Sequence, residues 1–449
     1  MNSPFAMALG VMAVVISLGG CFSGDDAATW KPQTHEFDLF VEAGSSGTVA
    51  LYPRNDLSEQ RAVAITFKAN PDDPQAIPGP EIRVKEGDTV IIHVTNPNAL
   101  SHTIHLHGGL IPWEEDGVDY LTQYPIASGQ EHTYTYANLK AGTYWYHCHV
   151  DAAHHTDFGM YGALIVEERN PPVKADRDYV IFLDEFDSCH VHGNLDPVPV
   201  AGNGQESSAD YQAQSECYYR FLMDNFAQNR AVSQAGQTAN STVPQAAKDT
   251  YCPAMVTAFA NIPEPERSNA LVAAGCMRAH QHGATPVQQT PRQWWPETHP
   301  LYNPLYNTFL VNGKAFPETP VFPAREGETV RFRLINAGNL LHTWHPHGHT
   351  MNVIAKDGYL LDSPYRADTL AIAPGERYDF VIKMENPGIW IIHDGMTQYA
   401  ANDNVHPGGI MACMPYDGFE GIDAFAMATS ADCATEAMRI LQERGGHEH

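Results

Sequence analysis

The chain has 449 residues, enough for two or three domains with sizeable cores, and its 35 glycines and 32 prolines are typical of a loop-rich β protein. Its formal net charge of −27 argues against nucleic-acid binding, which needs a positive phosphate-binding face. The same charge favours cationic or neutral partners over anionic ones.

An apolar segment opens the chain and ends at a cysteine. Residues 4 to 20 are slightly short for a membrane span, and Leu18-Gly19-Gly20-Cys21 resembles a bacterial lipobox. We therefore predict a signal segment over residues 1–21 and an exported protein, periplasmic or on the outer surface, attached to a membrane only by a lipid on Cys21. Because no Lys or Arg precedes the apolar run, a plain secretory signal is the alternative.

From residue 30 to residue 168 the pattern is one of short strands separated by turns. Runs such as Val90-Ile91-Ile92-His93-Val94 alternate with Gly, Pro and Asn. We interpret this region as a Greek-key β-sandwich. A linking strand, Tyr179-Val180-Ile181-Phe182-Leu183, follows at the start of the region 169–305.

The rest of that region is richer in Ala, Gln and helix formers and has no clear alternation. It contains Cys189, Cys217, Cys252 and Cys276. An even number of spare cysteines in an exported chain suggests disulfides, so we predict a disulfide-containing helical insertion. Cys413 and Cys433, which are close in sequence, are favoured as a further pair.

The β pattern returns over residues 306–419 and repeats the first domain. Glu86-Gly87-Asp88-Thr89-Val90 recurs as Glu326-Gly327-Glu328-Thr329-Val330 at an offset of 240 residues. A repeat this consistent means two copies of one domain. We therefore predict an all-β fold of two sandwiches, with the helical insertion between them and a short helical tail over residues 420–449. The same offset relates His102, His105 and His107 to His342, His345 and His347, and an offset of 246 relates His147 to His393.

The stretch Tyr144-Trp145-Tyr146-His147-Cys148-His149 places a thiol between two imidazoles. Neighbouring side chains on an extended segment point in opposite directions, so the thiolate can bind one copper while the flanking rings bind others behind it. With 23 histidines and 8 cysteines in the chain, such a triplet is expected by chance only about 0.02 times. The stretch therefore predicts a copper site.

On these residues the chain resembles a two-domain, laccase-like multicopper oxidase built from cupredoxin sandwiches. The motifs that carry the resemblance are Ser101-His102-Thr103-Ile104-His105-Leu106-His107-Gly108, the stretch from Gly142 to His149, and His342-Thr343-Trp344-His345-Pro346-His347-Gly348-His349. The resemblance covers roughly residues 70–168 and 306–415. It implies a type 1 copper and a trinuclear cluster of type 2 and type 3 copper, up to four copper ions per chain.

The resemblance implies that the first domain holds the type 1 copper through two imidazoles, a thiolate and an axial thioether. The corresponding residues are His102, Cys148, His155 and Met160. His155 fits the family spacing to the axial ligand, and His154 is the alternative. In the second domain Asp394 stands in place of Cys148, and a hard carboxylate does not replace a soft thiolate. His342 is therefore interpreted as a remnant, or as a residue that supports the ligands from behind.

The trinuclear cluster of this family takes its ligands from four His-x-His pairs. The matching residues are His105, His107, His147, His149, His345, His347 and His393. Gly395 occupies the eighth position, so either His349 or His406 reaches in or one copper is under-coordinated. Ligands from both domains place the cluster at a domain interface. Two-domain relatives complete it between subunits, which implies a homotrimer, with closure inside one chain as the alternative.

The resemblance also implies an activity. A small reducing substrate, either a phenol, an aromatic amine or a metal ion, would lose single electrons at the type 1 copper, and O₂ would be reduced to water at the cluster. Asp116 and Asp151 match the family carboxylates that assist proton delivery. The alternatives are an enzyme resembling copper nitrite reductase, which has no use for His107 or His149, and a non-turnover copper protein that transfers electrons. The sequence does not identify the reductant.

Overall fold

The first part of the fold is a sandwich of two four-stranded sheets. The structure, a computed structural model, describes residues 31–53, 59–98, 100–186, 306–402 and 406–444. The strands of the first sandwich are β1 (Thr34–Pro53), β2 (Glu59–Lys68), β3 (Ile82–Lys85), β4 (Thr89–Asn96), β5 (His105–His107), β6 (Gln130–Tyr136), β7 (Gly142–His147) and β8 (Tyr161–Glu167). One sheet has the order β2-β1-β4-β6 and the other β3-β8-β7-β5.

The predicted alternation is visible in β4, where Val90, Ile92 and Val94 are buried in the core and the residues between them are partly exposed. Strands β7 and β8 are instead buried almost throughout, because they lie in the middle of their sheet. The strand that leads into the His-Cys-His triplet and ends at His147 is therefore a central one, covered on both faces.

The second sandwich begins with the strand predicted as a link. Its strands are β9 (Arg177–Phe186), β10 (Thr308–Val311), β11 (Thr329–Asn336), β12 (His342–Pro346), β13 (Met351–Lys356), β14 (Tyr359–Ala367), β15 (Leu370–Ile372), β16 (Arg377–Lys383), β17 (Ile389–Asp394) and β18 (Met411–Pro415). The sheets have the orders β10-β9-β11-β16-β13-β14 and β15-β12-β17-β18. Strand β9 pairs in parallel with β11, so it joins the second sandwich directly.

The two sandwiches repeat one plan, and the predicted all-β class is confirmed. Strands β5 and β7 pair with His105 opposite His147, and β12 and β17 pair with His345 opposite His393. Helices are few among the described residues. They are α1 (Ala152–His155), α2 (Ser430–Glu443) and the 3₁₀ turns Trp113–Glu115, Thr397–Ala400, Phe419–Gly421 and Ala424–Ala426.

The tail is fixed to the second sandwich. Helix α2 begins with a capping box of Thr429 and Asp432, and the disulfide Cys413–Cys433 ties it to β18 across a Cα–Cα distance of 6.4 Å. The predicted pairing of these cysteines is confirmed. The signal segment, the helical insertion with its four cysteines, and residues 445–449 lie outside the described residues. None of the helices within the described ranges has the length and apolar character needed to span a bilayer.

A buried ionic network joins the two sandwiches. Arg331 and Arg333 on β11 both contact Asp379 on β16, and all three side chains are buried. Thr143 on β7 donates its hydroxyl to Asp379 at 2.6 Å and accepts a hydrogen bond from Arg333 at 3.0 Å. The strand that leads to Cys148 is therefore anchored on the second sandwich by charges shielded from water.

We expect Asp379→Asn to lower the free energy of unfolding by about 1–3 kcal/mol, because Arg331 and Arg333 lose their shared carboxylate while each keeps a second one, Glu168 or Asp178. The shift in a denaturant unfolding curve measures this. Arg439→Gln, which breaks an exposed pair with Glu443 on α2, is the control and should not shift the curve resolvably. Equal shifts in the two variants would contradict a stabilising role for Asp379 in the buried network.

Candidate metal centres

The thiol of Cys148 lies between two imidazoles, as the sequence predicts. Its Sγ atom is 3.3 Å from Nδ1 of His155 and 3.7 Å from Nδ1 of His102, and all three residues are buried. Met160 is also fully buried. We call Cys148, His102, His155 and Met160 the thiol site.

Backbone hydrogen bonds bring these residues together from a short stretch of chain. Cys148 N–H donates to the Met160 carbonyl at 3.1 Å, and Met160 N–H donates to the His155 carbonyl at 3.0 Å. Asp151 has a left-handed backbone (φ 45°) and turns the chain into α1, which carries His155 at its end. His154 donates from Nδ1 to the Asp151 carboxylate at 2.8 Å. The structure thus brings His155, and not His154, to the thiol.

The protonation states of the thiol site suit a metal. Burial, with a smaller effect of His155, holds the pKa of His102 well below its usual value, so the ring is neutral and offers a lone pair. Burial also raises the pKa of the Cys148 thiol to about 12. A buried thiolate needs a compensating positive charge, and a copper ion would supply it.

Four histidines of the first sandwich form a second cluster, which we call the first histidine set: His105, His107, His147 and His149. His105 and His107 lie on the same side of β5, and the ligand atoms of His105, His107 and His147 are all within 4.8 Å of one another. The His149 ring centroid is 5.7 Å from that of His105. Burial first, and then Arg377 and His105, lower the pKa of His107 to about 4, so this ring is also neutral.

Three rings of this set, those of His105, His147 and His149, are oriented by a group behind them. His105 donates from Nδ1 to the Asp116 carbonyl at 2.8 Å, and His147 donates from Nδ1 to the Cys148 carbonyl at 2.9 Å. His149 Nδ1 is 2.9 Å from Oδ1 of the buried Asp119. Such contacts leave the other ring nitrogen for a metal.

Sequence reasoning missed Asp119, which is thirty positions from His149 in the chain and has no motif of its own. Of the two predicted carboxylates, Asp116 lies beside His105, with Oδ1 at 3.3 Å from Nδ1. Asp151 instead contacts His154. Trp145, also not predicted, stacks on His107 and His147 with centroid distances of 4.9 and 4.5 Å, and holds the two rings from one side.

The second sandwich brings together His345, His347 and His393, which we call the second histidine set. The Nε2 atoms of His347 and His393 are 2.8 Å apart, and the His345 ring lies 5.1 Å from that of His347. Nδ1 of His345 donates to the Asp368 carbonyl at 2.7 Å, and Nδ1 of His393 donates to the Asp394 carbonyl at 2.7 Å. The Nε2 atoms of His345 and His393 are therefore the ones that would bind a metal.

The two histidine sets make no ring contact or hydrogen bond with each other within the described ranges of one chain. At the eighth position, Gly395 offers only its backbone, and its N–H donates to the Thr343 carbonyl. His349 is held elsewhere, with Nδ1 bonded to the His347 carbonyl and Nε2 to the Tyr416 hydroxyl. His406 is exposed beside Pro407.

The donor set fits copper. A thiolate, neutral imidazoles and a thioether are the ligands that copper prefers, whereas magnesium and calcium prefer carboxylates and water. The buried thiol faces two ring nitrogens, as a trigonal copper site requires. The first histidine set brings three imidazoles close together. It is linked to the thiol site by the hydrogen bond from His147 to the Cys148 carbonyl.

Two family models, both described as multicopper oxidase, match the chain over residues 74–171 and 281–418. Together they cover more than half of it, and the chain belongs to the multicopper oxidase family. Copper resistance protein A of Escherichia coli is 26% identical over 349 residues, which are 76% of this chain and 47% of that protein. The chain thus spans about half the length of that relative. Multicopper oxidase MmcO of Mycobacterium tuberculosis is 25% identical over 84% of this chain and 90% of its own.

Solved structures give the same result. The blue copper oxidase of Nitrosomonas europaea superposes with a TM-score of 0.55 at 28% identity and covers 86% of each chain. Multicopper oxidase mgLAC gives 0.58 at 26% identity, over 91% of this chain and 95% of that one. A copper nitrite reductase of Nitrosomonas europaea gives 0.50 at 20% identity, which shows a shared fold alone.

Proposed function

We propose that the protein is a copper-dependent oxidase that takes single electrons from a small reducing substrate and delivers them to O₂, which leaves as water. The observation that carries this proposal is the position of Cys148. Its side chain belongs to the thiol site, and its carbonyl oxygen accepts a hydrogen bond from His147 of the first histidine set. One residue therefore connects a mononuclear site with a multinuclear one.

Bound copper would supply one-electron exchange at the thiol site and dioxygen reduction at the histidine cluster. His102, Cys148, His155 and Met160 would hold the first ion, and the two histidine sets would hold the others. Burial of the thiol site keeps water away from the sulfur. Asp116 and Asp119, beside His105 and His149, are placed to hold protons near the cluster, and Asp119 also fixes the orientation of His149.

The cluster is proposed to be shared between copies of the chain. The two histidine sets make no ring contact or hydrogen bond with each other within the described part of one chain, which supports completion of the cluster by a second copy. The loop that carries Asp116 and Asp119 exposes Leu110, Trp113, Leu121 and Tyr124. The edge strand β14 of the second sandwich exposes Tyr359, Leu360 and Tyr365, and of these Tyr365 is the nearest in sequence to Asp368, the partner of His345.

The exposed apolar residues of this loop and of β14 form two different faces, which favours a head-to-tail contact. Such heterologous contacts close into rings, and the resemblance to two-domain relatives implies a homotrimer. The resemblance of Leu18-Gly19-Gly20-Cys21 to a lipobox supports export and a lipid on Cys21. The acidic chain favours a neutral or cationic reductant, such as a phenol, an aromatic amine or a metal ion.

Oxygen consumption by the copper-loaded protein tests the proposal. We expect uptake with a generic phenolic reductant at a ratio of four electrons per O₂, and no release of peroxide. A blue protein that consumes no O₂ would instead be an electron-transfer protein. Gly395 stands where the eighth histidine of the cluster is expected, and this favours nitrite reduction as the second candidate function. Nitrite-dependent oxidation of the reductant without O₂ would establish it.

A further inference from the structure

The second sandwich has a buried ion triad where the first has the thiol site. His342 lies between two carboxylates, with Nδ1 2.7 Å from Asp394 Oδ2 and Nε2 2.9 Å from Glu185 Oε2, and all three side chains are fully buried. Both ring nitrogens are within hydrogen-bond distance of a carboxylate oxygen, an arrangement that fits a doubly protonated imidazolium. Burial opposes this charge, but the hydrogen bonds to Asp394 and Glu185 outweigh it and raise the pKa of His342 to about 9.

Backbone hydrogen bonds show that the triad occupies the position of the thiol site. Asp394 N–H donates to the Ile410 carbonyl at 3.1 Å, and Ile410 N–H donates to the Tyr399 carbonyl at 2.8 Å, as Cys148 does to Met160 and Met160 to His155. The Tyr399 ring packs against His342, with centroids 5.5 Å apart. The equivalent pairs are Cys148 and Asp394, His102 and His342, His155 and Tyr399, and Met160 and Ile410.

The third member of the triad, Glu185, reaches His342 because the two repeats differ at one residue position. In the first sandwich Nε2 of His102 is 3.1 Å from Oδ1 of Asn98. The offset of 240 residues puts Gly338 at that position, where a Cβ atom would overlap the Glu185 carboxylate. Glu185 comes from β9, and its Oε1 accepts hydrogen bonds from the backbone N–H groups of Asn339 and Leu340 at 2.5 and 2.8 Å.

The triad is linked to the strands that carry the second histidine set. Oδ1 of Asp394 accepts hydrogen bonds from the N–H and the hydroxyl of Thr343, at 3.0 and 2.6 Å. Thr343 precedes His345 by two residues on β12, and Asp394 directly follows His393 on β17. The Asp394 carbonyl is also the group that receives Nδ1–H of His393. The orientation of Asp394 therefore affects both strands.

We propose that Glu185, His342 and Asp394 form a metal-free clamp that takes the place of a copper ion in the second sandwich and positions His345 and His393. The proposal rests on the proposed function only in naming copper as the metal that these histidines bind. In the first sandwich a bound ion would join Cys148 to His102. In the second sandwich a protonated ring joins the corresponding Asp394 to Glu185 by hydrogen bonds. His342 is thus a positioning residue.

Two variants separate positioning from charge. His342→Gln carries a donor at only one end of its amide, so one carboxylate must face an oxygen atom. We expect this variant to bind cluster copper about 10- to 100-fold more weakly, while the thiol-site copper stays bound. Adding Asp394→Asn gives two amides in series facing the Glu185 carboxylate, so that each contact again has one donor and one acceptor. This double variant should bind cluster copper with nearly the affinity of the unaltered chain.

A second readout needs no copper. In the metal-free full chain with isotope-labelled histidine, nitrogen NMR at neutral pH should show His342 doubly protonated and His393 with a slowly exchanging Nδ1–H. His342→Gln should speed the exchange of that His393 proton, and the double variant should slow it again. Tyr399→Phe, which keeps the triad, and Asp379→Asn, which destabilises a different buried network, are the controls and should leave it unchanged.

The clamp is wrong if His342→Gln alters neither readout, or if Asp379→Asn alters both as much, since the effect would then be general destabilisation. If the unaltered chain binds copper at the thiol site alone, the proposed function fails. The His393 exchange rate still decides on the clamp in that case.

Discussion

Replacing Cys148 by serine is expected to abolish the blue colour of the copper-loaded protein. It should also lower the rate of O₂ uptake more than roughly 100-fold, which is the largest loss expected when a residue that only supports a metal ligand is removed. The thiolate is the soft ligand of the thiol site, and it lies 3.3 Å from His155 and 3.7 Å from His102. A serine hydroxyl has nearly the same shape, but it does not ionise readily and has no sulfur atom to bind copper. Visible absorbance and an oxygen electrode measure the two effects.

Met160→Leu is the matched control for this variant. It also removes a fully buried sulfur atom, but only the weak axial ligand, so the colour should persist with an altered reduction potential. Turnover that survives Cys148→Ser unchanged would show that electrons do not pass through the thiol site.

The second large effect concerns assembly. We expect Leu110→Glu with Trp113→Glu to separate the copies, to remove the cluster copper and to leave the thiol-site copper in place. Both side chains are exposed on the loop beside the first histidine set, and a charge there would have to be buried against β14 of the next copy. Loss of an aromatic anchor alone costs at least about 2 kcal/mol, roughly a 30-fold weaker contact.

Sedimentation and copper quantification on the same sample test this expectation. Met438→Glu with Leu441→Glu, at two exposed apolar positions of α2, is the control and should change neither the mass nor the copper content. A monomeric variant that keeps full O₂ uptake would mean that the cluster closes within one chain.

The residues that the sequence predicts best are those with a local pattern. Alternation on an extended segment predicts that the two histidines of each His-x-His pair point to the same side, and the structure brings His105, His107 and His147 together. The repeat at offsets of 240 and 246 likewise predicts that the second sandwich follows the plan of the first, down to Asp394 in the place of Cys148.

What the sequence does not predict depends on contacts between distant segments. Asp119 reaches His149 across a loop, and Glu185 reaches His342 from a strand 157 positions earlier. The link predicted between the domains is a paired strand of the second sandwich, because parallel pairing with β11 leaves no local signal. His349, one candidate for the eighth ligand, instead forms hydrogen bonds with the His347 carbonyl and the Tyr416 hydroxyl. Only the fold shows that Tyr416 is close enough to His349 for such a bond.

Copper quantification with optical and electron paramagnetic resonance spectra tests the central claim most directly, because it counts the ions and identifies the sulfur-bound one. We expect four copper ions per chain in the assembled protein, one with the intense colour of a copper–thiolate centre. Fully loaded protein that is colourless, or that holds two ions per chain or fewer, would contradict it.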